Sequence, residues 1–361
     1  MTMELYQNLI TQQQYQPDDE ISKSPTGSST YQGMIVRKDR GRYDVICAGR
    51  VVTCAVSNRI HKQLLYPTAD PASLPQRVQK VITLDHVDPL AVGDQVQFIT
   101  APDGNGLIVE VLPRRSKLTR RTAVPMPTAN PFEQVIVANI DQVAPVFAAA
   151  NPPPKWNMLD RYLVSAESLS LPSLVVITKA DLATQDGESA DNKLNEAIKE
   201  YRRIGYHVIV TSIMNGQGLD ELKEALHDRI TVLVGKSGVG KTSLLNALQP
   251  GLGLRVNEVS QATGKGKHTT TNLEMFSLDL GGAIVDTPGM WEFGLWEAKD
   301  EDLALFFPEM KPLVGTCKFG LDCHHKNEPG CAIRKAVAEG KISSQRYQSF
   351  LGLGWEPHHG R

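Results

Sequence analysis

The sequence predicts three successive structural units: a small β-barrel, a doubly wound α/β domain and a C-terminal metal-binding region. Short β-rich segments separated by glycine-containing turns fill the chain between residues 32 and 112. Apolar runs typical of buried strands then alternate with helical patterns, and a glycine-rich loop lies between one such run and a helix. Three cysteines and a histidine cluster near the C-terminus.

Composition restricts the class of protein. The chain has 361 residues, of which 41% are hydrophobic, and a formal net charge of −2, so any surface for a nucleic acid must be local. No apolar run approaches the roughly 18 residues that a membrane span needs, and the N-terminus lacks the features of a secretory signal. Five cysteines without such a signal favour a reducing compartment. We therefore expect a cytoplasmic protein with no membrane contact. We also expect a monomer.

The first part of the chain changes character twice. Residues 1–31 are polar and aperiodic, which predicts a flexible tail. Residues 32–117 contain about five short strand patterns and predict a barrel of the OB type, although an SH3-like barrel would show a similar count. The segment 114–121 then holds five basic residues in eight. It is either a solvated linker or a stripe that contacts nucleic-acid phosphates.

Residues 118–300 show the alternation of an α/β domain. Apolar strand patterns occur at 135–139, 174–177, 208–210, 230–234 and 283–285. Helical spacing occurs at 159–166, 192–203, 219–227 and 243–248. Because strands that alternate with helices form parallel crossovers, this order predicts an open, doubly wound sheet.

The most specific motif lies at residues 235–242, which read GKSGVGKT and match the Walker A phosphate-binding loop. A strand pattern precedes the motif and a helical pattern follows it, and this context makes a chance glycine-rich loop a poor alternative. In such a loop the backbone N–H groups and the helix N-terminus together attract phosphate. Lys241 is expected to reach the β- and γ-phosphates, and Thr242 to bind Mg²⁺. Downstream, Asp286 would complete the Mg²⁺ shell, and the Gly289 N–H would meet the γ-phosphate.

A second motif concerns the base of the nucleotide. Residues 178–181 read TKAD after a buried strand and resemble the guanine-specificity motif Asn-Lys-x-Asp. The Asp181 carboxylate can accept hydrogen bonds from guanine N1–H and the 2-amino group, a donor pair that adenine lacks. Thr178 replaces the usual asparagine, and Ser212 occupies the place of a second base-contacting loop. The competing interpretation is a helix N-terminus with scattered charges.

The order of these motifs is unusual for a GTPase. The TKAD segment precedes Gly235 by more than fifty residues, whereas an ordinary GTPase begins with the phosphate loop. The motif order 4-5-1-2-3 indicates a circular permutation, which a compact α/β domain tolerates when its original termini are close. Residues 264–271 read GKGKHTTT, and the hydroxyl of Thr270 would suit a sensor of the γ-phosphate.

The third unit is predicted from four potential metal ligands within fifteen residues: Cys317, Cys323, His325 and Cys331. Three thiolates and an imidazole suit tetrahedral Zn²⁺, and four protein ligands close the site, so the ion would be structural. His324 could replace His325 as the nitrogen ligand, because the two histidines are adjacent. The alternative to a metal site is a set of reduced cysteines that binds no metal. Residues 301–361 are expected to form a zinc-binding helical domain.

Together these motifs resemble the ribosome small-subunit-dependent GTPase A family (RsgA/YjeQ) over about residues 32–355. The resemblance implies an OB barrel, a circularly permuted P-loop GTPase domain and a C-terminal zinc domain. It implies GTP hydrolysis to GDP stimulated by the small ribosomal subunit late in its maturation, with rRNA contacts from the barrel and zinc domains. It also implies that His268 orients the attacking water, because Met290 stands where Ras-like enzymes carry glutamine.

Two other functions remain open at this point. One is an RNA-binding module in which nucleotide is only a structural or regulatory ligand, and the other is a P-loop ATPase or kinase, which Asp181 disfavours. For the GTPase interpretation, Lys241 and His268 are the expected catalytic residues. The residues expected to bind GTP come from the base, phosphate and switch motifs: Thr178, Lys179, Asp181, Ser212, Gly235, Lys236, Ser237, Gly238, Val239, Gly240, Lys241, Thr242, Ser243, Thr270, Asp286 and Gly289.

Overall fold

The computed structural model of the chain describes residues 30–39, 41–58, 60, 90–121, 133–186, 188–252, 273–286 and 300–353. Most of the predicted tail, the loop at 264–271 and residues 287–289 lie outside this part of the chain. Within it, no helix combines the length and the apolar character that crossing a membrane requires.

The first five strands close into a barrel: β1 (Thr30–Asp39), β2 (Arg42–Cys47), β3 (Arg50–Val56), β4 (Gln95–Thr100) and β5 (Gly106–Val111). They pair in the order β1-β2-β3-β5-β4, and β1 also pairs with β4 to complete the circle. All pairings are antiparallel except that of β3 with β5. This connectivity is that of an OB barrel, so the predicted fold is confirmed.

A separate hairpin follows, made of β6 (Lys117–Arg121) and β7 (Glu133–Ala138). One expectation is therefore wrong, because the strand predicted at 135–139 does not join the α/β sheet. The second half of the basic segment 114–121 is a paired strand of this hairpin. The Arg114 guanidinium donates hydrogen bonds to both oxygens of the buried Asp94 carboxylate at 2.6 and 2.7 Å. The Arg114 side chain therefore fastens the start of the basic segment to the barrel.

The α/β domain contains six further strands: β8 (Gln142–Ala148), β9 (Leu174–Thr178), β10 (His207–Val210), β11 (Ile230–Val234), β12 (Glu274–Ser277) and β13 (Ala283–Asp286). Their order is β10-β9-β8-β11-β13-β12, and only β12 is antiparallel to its neighbour β13. The helices are α1 (Trp156–Ser168), α2 (Glu188–Ile204), α3 (Leu219–Leu226) and α4 (Lys241–Leu248). The predicted helices are confirmed, whereas β8 and β12 were not predicted.

The barrel shares one sheet with the α/β domain but keeps a separate hydrophobic core. Arg37 on β1 pairs with Glu274 on β12, which produces a continuous sheet of eleven strands. A β-bulge between Ile35 and Arg37 shifts the register of β1, and Val36 packs in the core of the α/β domain. The barrel also lies close to the separate hairpin, because a Cβ atom on Gly93 would lie only 2.1 Å from the Ala138 carbonyl oxygen at the end of β7. The two units therefore form a joined body.

The C-terminal region is built from short turns and two helices. Its 3-10 turns are Asp300–Phe306, Lys311–Leu313 and Gly320–Asp322, and its helices are α5 (Ala332–Ala338) and α6 (Ser344–Leu353). Helix α6 packs on α1, where the buried Arg346 forms ion pairs with Asp160 and Glu309. The Arg346 guanidinium also lies 4.6 Å from the centre of the Phe307 ring. The C-terminal region is thus docked on the α/β domain.

Candidate nucleotide-binding site and metal centre

The phosphate loop connects β11 to α4, so it lies at the carboxyl end of a central strand. Gly238 and Gly240 adopt φ angles of 83° and 95°, a region that favours glycine. At Gly235 a Cβ atom would lie 2.4 Å from the Val146 carbonyl oxygen on the neighbouring strand. Each of these three glycines is thus required locally, by its backbone conformation or by the close approach of the neighbouring strand.

Lys241 begins α4 and reaches back across the loop. Its Nζ donates hydrogen bonds to the carbonyl oxygens of Gly235 at 2.7 Å and Lys236 at 3.1 Å. Burial lowers the pKa of Lys241, while the nearby Asp286 carboxylate counteracts this change. Asp286 ends β13, which pairs directly with β11. The structure therefore brings the predicted phosphate-binding amine and the predicted magnesium ligand to the same edge of the sheet.

The start of the TKAD segment is tied to the phosphate loop. The buried Thr178 hydroxyl donates to the carbonyl oxygens of Val239 and, at 3.3 Å, Phe147. Lys179 Nζ donates to the Gly238 carbonyl at 2.8 Å and to the carbonyl of Asn151. Burial lowers the pKa of Lys179, opposed by Asp181. These bonds join segments 61 and 59 positions apart, so the two predicted motifs form one site.

The end of the TKAD segment meets the loop after β10. The Ser212 hydroxyl donates a 2.5 Å hydrogen bond to Asp181 Oδ1 and accepts one from the Met214 N–H at 3.2 Å. Ser212 itself is buried, whereas Ile213 and Met214 are 46% and 77% exposed. The structure thus places the two predicted base-contacting loops in direct contact, with the Asp181 carboxylate oriented by a buried hydroxyl.

Other predicted site residues fall into two groups. Thr242 and Ser243 lie in the first turn of α4, directly after the phosphate loop. His268, Thr270 and Gly289 lie outside the described residues. One participant was missed from the sequence: the Asn151 carbonyl that accepts the bond from Lys179. Little in the sequence points to Asn151 as part of the site, because it follows strand β8, which was itself not predicted.

The four predicted metal ligands converge in the C-terminal region. The ligand atoms of Cys317, Cys323, His325 and Cys331 all lie within 4.8 Å of one another, and all four residues are buried. His325 Nδ1 is 3.4 Å from the Cys317 sulfur and 3.5 Å from the Cys331 sulfur. Three soft sulfur donors and one nitrogen are a donor set that fits Zn²⁺.

The local backbone supports a metal-binding form of this cluster. The Ala332 N–H points at the Cys317 sulfur at 3.2 Å and the Arg334 N–H at the Cys331 sulfur at 3.5 Å, bonds that favour thiolates. Burial lowers the pKa of His325, which favours the neutral imidazole that metals bind. His324 is exposed, so the structure selects His325 between the two adjacent histidines.

The phosphate loop follows the fourth strand of the α/β domain instead of its first, and the base motif precedes it in the chain. This arrangement defines a P-loop GTPase with circularly permuted motifs. The family model of the RsgA GTPase matches residues 111–296. The chain belongs to the RsgA GTPase family.

Known relatives and solved structures agree with this assignment. A small ribosomal subunit biogenesis GTPase RsgA from Gemmatimonas aurantiaca is 45% identical over 268 residues, covering 73% of this chain and 83% of the relative. The crystal structure of YjeQ from Thermotoga maritima is similar with a TM-score of 0.67 at 29% identity, covering 91% of this chain and 98% of that one. YloQ, a circularly permuted GTPase, matches with a TM-score of 0.62 at 27% identity, covering 90% and 94%.

Proposed function

We propose that this protein hydrolyses GTP to GDP and phosphate while it assists late maturation of the small ribosomal subunit. Binding to the subunit and its rRNA stimulates turnover, and the protein works as a cytoplasmic monomer. The observation that carries the proposal is the hydrogen-bonded junction of the TKAD segment with the phosphate loop. The names of the relatives, which are small ribosomal subunit biogenesis GTPases, support the choice of partner.

Guanine recognition is assigned to Asp181 and Ser212. The Asp181 carboxylate accepts the two guanine donors, and the Ser212 hydroxyl at 2.5 Å holds the carboxylate in place. Thr178 keeps the base motif attached to the phosphate loop but has no carboxamide that could extend to the purine. Discrimination against adenine therefore rests mainly on Asp181, because an ionised acceptor gives the stronger hydrogen bonds.

Phosphate binding and hydrolysis are assigned to the loop and its flanking residues. The Lys241 ammonium neutralises charge on the β- and γ-phosphates, where developing charge must be stabilised. Thr242 and Asp286 would hold Mg²⁺, which offsets phosphate charge when bound. His268 orients water, while Thr270 and Gly289 contact the γ-phosphate. The remaining loop positions, Lys236, Ser237, Val239 and Ser243, contribute backbone or hydroxyl contacts.

The Cys317, Cys323, His325 and Cys331 cluster would hold one structural Zn²⁺. Four protein ligands would complete the coordination shell of the ion and leave no open position for substrate. The bound ion would hold the turn at Gly320–Asp322 near the start of α5, because Cys323 directly follows the turn and Cys331 directly precedes that helix. The expected contribution is to the folding of the C-terminal region.

The decisive experiment measures GTP turnover by the purified full chain with and without purified small ribosomal subunits. We expect slow intrinsic hydrolysis and a clear increase when subunits are added, and we expect ATP to compete poorly. A Lys241→Ala variant controls for contaminating hydrolases. Negligible turnover with subunits present would instead indicate an RNA-binding module in which the nucleotide is a regulatory ligand.

A further inference from the structure

Two large apolar side chains protrude from the turn between the first two cysteines of the metal cluster. Phe319 is 45% exposed and Leu321 is 79% exposed, the largest exposed fraction among the large apolar residues that the structure describes. Cys317 and Cys323 flank this turn and are both buried. Adjacent apolar side chains that point into solvent from an anchored turn indicate a contact surface.

The backbone of this turn is held in place by hydrogen bonds. The Gly320 N–H donates to the Cys317 carbonyl at 2.9 Å, and the Asp322 N–H donates to the Phe319 carbonyl at 3.1 Å. The Lys318 N–H donates to the Gly330 carbonyl at 3.1 Å, next to another cysteine of the cluster. The backbone that carries Phe319 is therefore ordered before any partner binds, which reduces the entropy cost of binding.

A positive charge lies beside the aromatic ring. Lys318 Nζ lies 5.9 Å from the centre of the Phe319 ring. Between residues 311 and 335 the chain carries five basic and two acidic residues. One of the two acids, Glu328, accepts hydrogen bonds from the N–H groups of His324, Lys326 and Asn327, so its charge is already engaged locally. The surface thus combines an exposed ring and one neighbouring cation within a segment of net positive charge.

This combination favours RNA over an apolar protein pocket. Unpaired bases stack on aromatic side chains, and neighbouring lysines contact the phosphates of the same strand. An apolar protein pocket would receive Phe319 and Leu321 equally well, but it would not require the charge of Lys318 beside the ring. The charge of Lys318 beside the ring is the observation that separates the two partners.

We propose that Phe319 stacks on an unpaired base of ribosomal RNA, with Lys318 on the adjacent phosphate and Leu321 against the edge of the same nucleotide. This inference rests on the proposed function, because it assumes that the RNA belongs to the small subunit. It assigns the contact to three residues outside both the nucleotide site and the metal ligands.

The test compares the affinity of the full chain for purified small subunits among three substitutions at one position. Phe319→Ala should weaken binding about five- to 150-fold, the range expected for loss of one stacked base. Phe319→Leu should weaken it similarly because the side chain stays apolar but loses its π face. Phe319→Trp should bind at least as tightly as the wild type. Wild-type affinity of Phe319→Leu would overturn the proposal and indicate an apolar protein pocket.

Further measurements separate this proposal from folding effects and from the proposed function. Lys318→Ala should remove one phosphate contact, so the slope of the logarithm of the binding constant against the logarithm of the salt concentration should become shallower by about one. Leu305→Ala is the control, since Leu305 is an exposed apolar residue elsewhere in the C-terminal region and should bind normally. Intrinsic GTP turnover and metal content should be unchanged in each variant. If subunits stimulate GTP turnover by the wild type but bind Phe319→Ala with normal affinity, only the stacking contact is refuted. If subunits do not stimulate turnover by the wild type, the proposed function itself fails.

Discussion

Arg346 on α6 and Asp160 on α1 form a 2.7 Å ion pair in which the side chains are 1% and 0% exposed. Glu309 accepts two more bonds from the same guanidinium, and the Tyr201 hydroxyl donates to Asp160 at 2.6 Å. The pair joins the last helix of the C-terminal region to the first helix of the α/β domain. Because neither of these buried charges is hydrated by water, removing one of them leaves the other without compensation and destabilises the fold.

Replacing Arg346 by alanine should therefore destabilise the protein strongly. The substitution leaves two carboxylates without their cation, and we expect the free energy of unfolding to fall by about 3–5 kcal/mol. Urea unfolding followed by circular dichroism measures this change. Arg334→Ala is the matched control, because Arg334 is exposed and makes one long bond to the Glu328 carbonyl. Equal stabilities of the two variants would contradict the role given to the buried pair.

The Thr178 hydroxyl should be needed for nucleotide binding. Thr178→Val preserves shape but removes the donor to the Val239 and Phe147 carbonyls, at a cost of about 1–3 kcal/mol for unsatisfied buried groups. We expect weaker GDP affinity, measured with a fluorescent nucleotide, together with a lower melting temperature. Thr178→Ser keeps the hydroxyl and should behave nearly as the wild type. A valine variant with normal affinity would show that the tether is dispensable.

Asp181→Asn should change the base preference of the site. The substitution replaces one acceptor by a donor, which suits xanthine better than guanine. GTP affinity should fall by about 1.5–3 kcal/mol, the range for a hydrogen bond to a charged group, while XTP affinity rises. Competition between the two nucleotides measures both effects. Asp220→Asn, at an exposed carboxylate on α3, provides the control, and retained GTP preference in Asp181→Asn would remove the guanine assignment.

The two adjacent histidines should differ in metal binding. Elemental analysis should find about one Zn²⁺ per chain in the wild type, as expected for a structural site. Cys323→Ser and His325→Ala should lose the ion and expose α5 to proteolysis. His324→Ala should retain it, because His324 is exposed while His325 Nδ1 faces the sulfurs. Normal metal content in His325→Ala would show that another ligand completes the site.

Lys241 and His268 should affect different steps. Lys241→Ala removes the charge beside the phosphates, so nucleotide binding and hydrolysis should both fall. His268→Ala should spare binding and lower turnover, because the water is positioned only for the reaction. Single-turnover hydrolysis and nucleotide titration separate the two effects. Lys267→Ala controls for general changes in that loop, and normal turnover in His268→Ala would refute the catalytic assignment.

Most strands and helices followed from local patterns, but one central strand did not. Strand β8 is buried along its whole length between β9 and β11, yet it contains Pro145, which is unusual inside a sheet. Pro145 pairs in register with Val234, the last residue before the phosphate loop. Pairing with β9 and β11 stabilises the strand conformation of β8 despite its weak local preference for a strand. This strand is therefore evident only from its long-range pairing.

The candidate site was predictable in its chemistry more than in its connections. The Walker loop, the TKAD segment and the cysteine cluster are each contiguous, so their spacing alone indicates phosphate, guanine and metal binding. The bonds from Thr178 and Lys179 to the phosphate loop were not predictable, because they depend on how segments some sixty positions apart approach each other. The choice of His325 over His324 likewise depends on burial.

Sequence alone determined the unit types, the permuted motif order and the residue types available for chemistry, because each is encoded in short stretches of neighbouring residues. Tertiary structure decided how the units combine. The barrel shares its sheet with the α/β domain through Arg37 and Glu274, and Arg346 finds a buried partner 186 positions away. The physical reason is that hydrophobic spacing and turn chemistry act locally, whereas sheet edges and buried charges are satisfied by whichever distant residues the fold brings beside them.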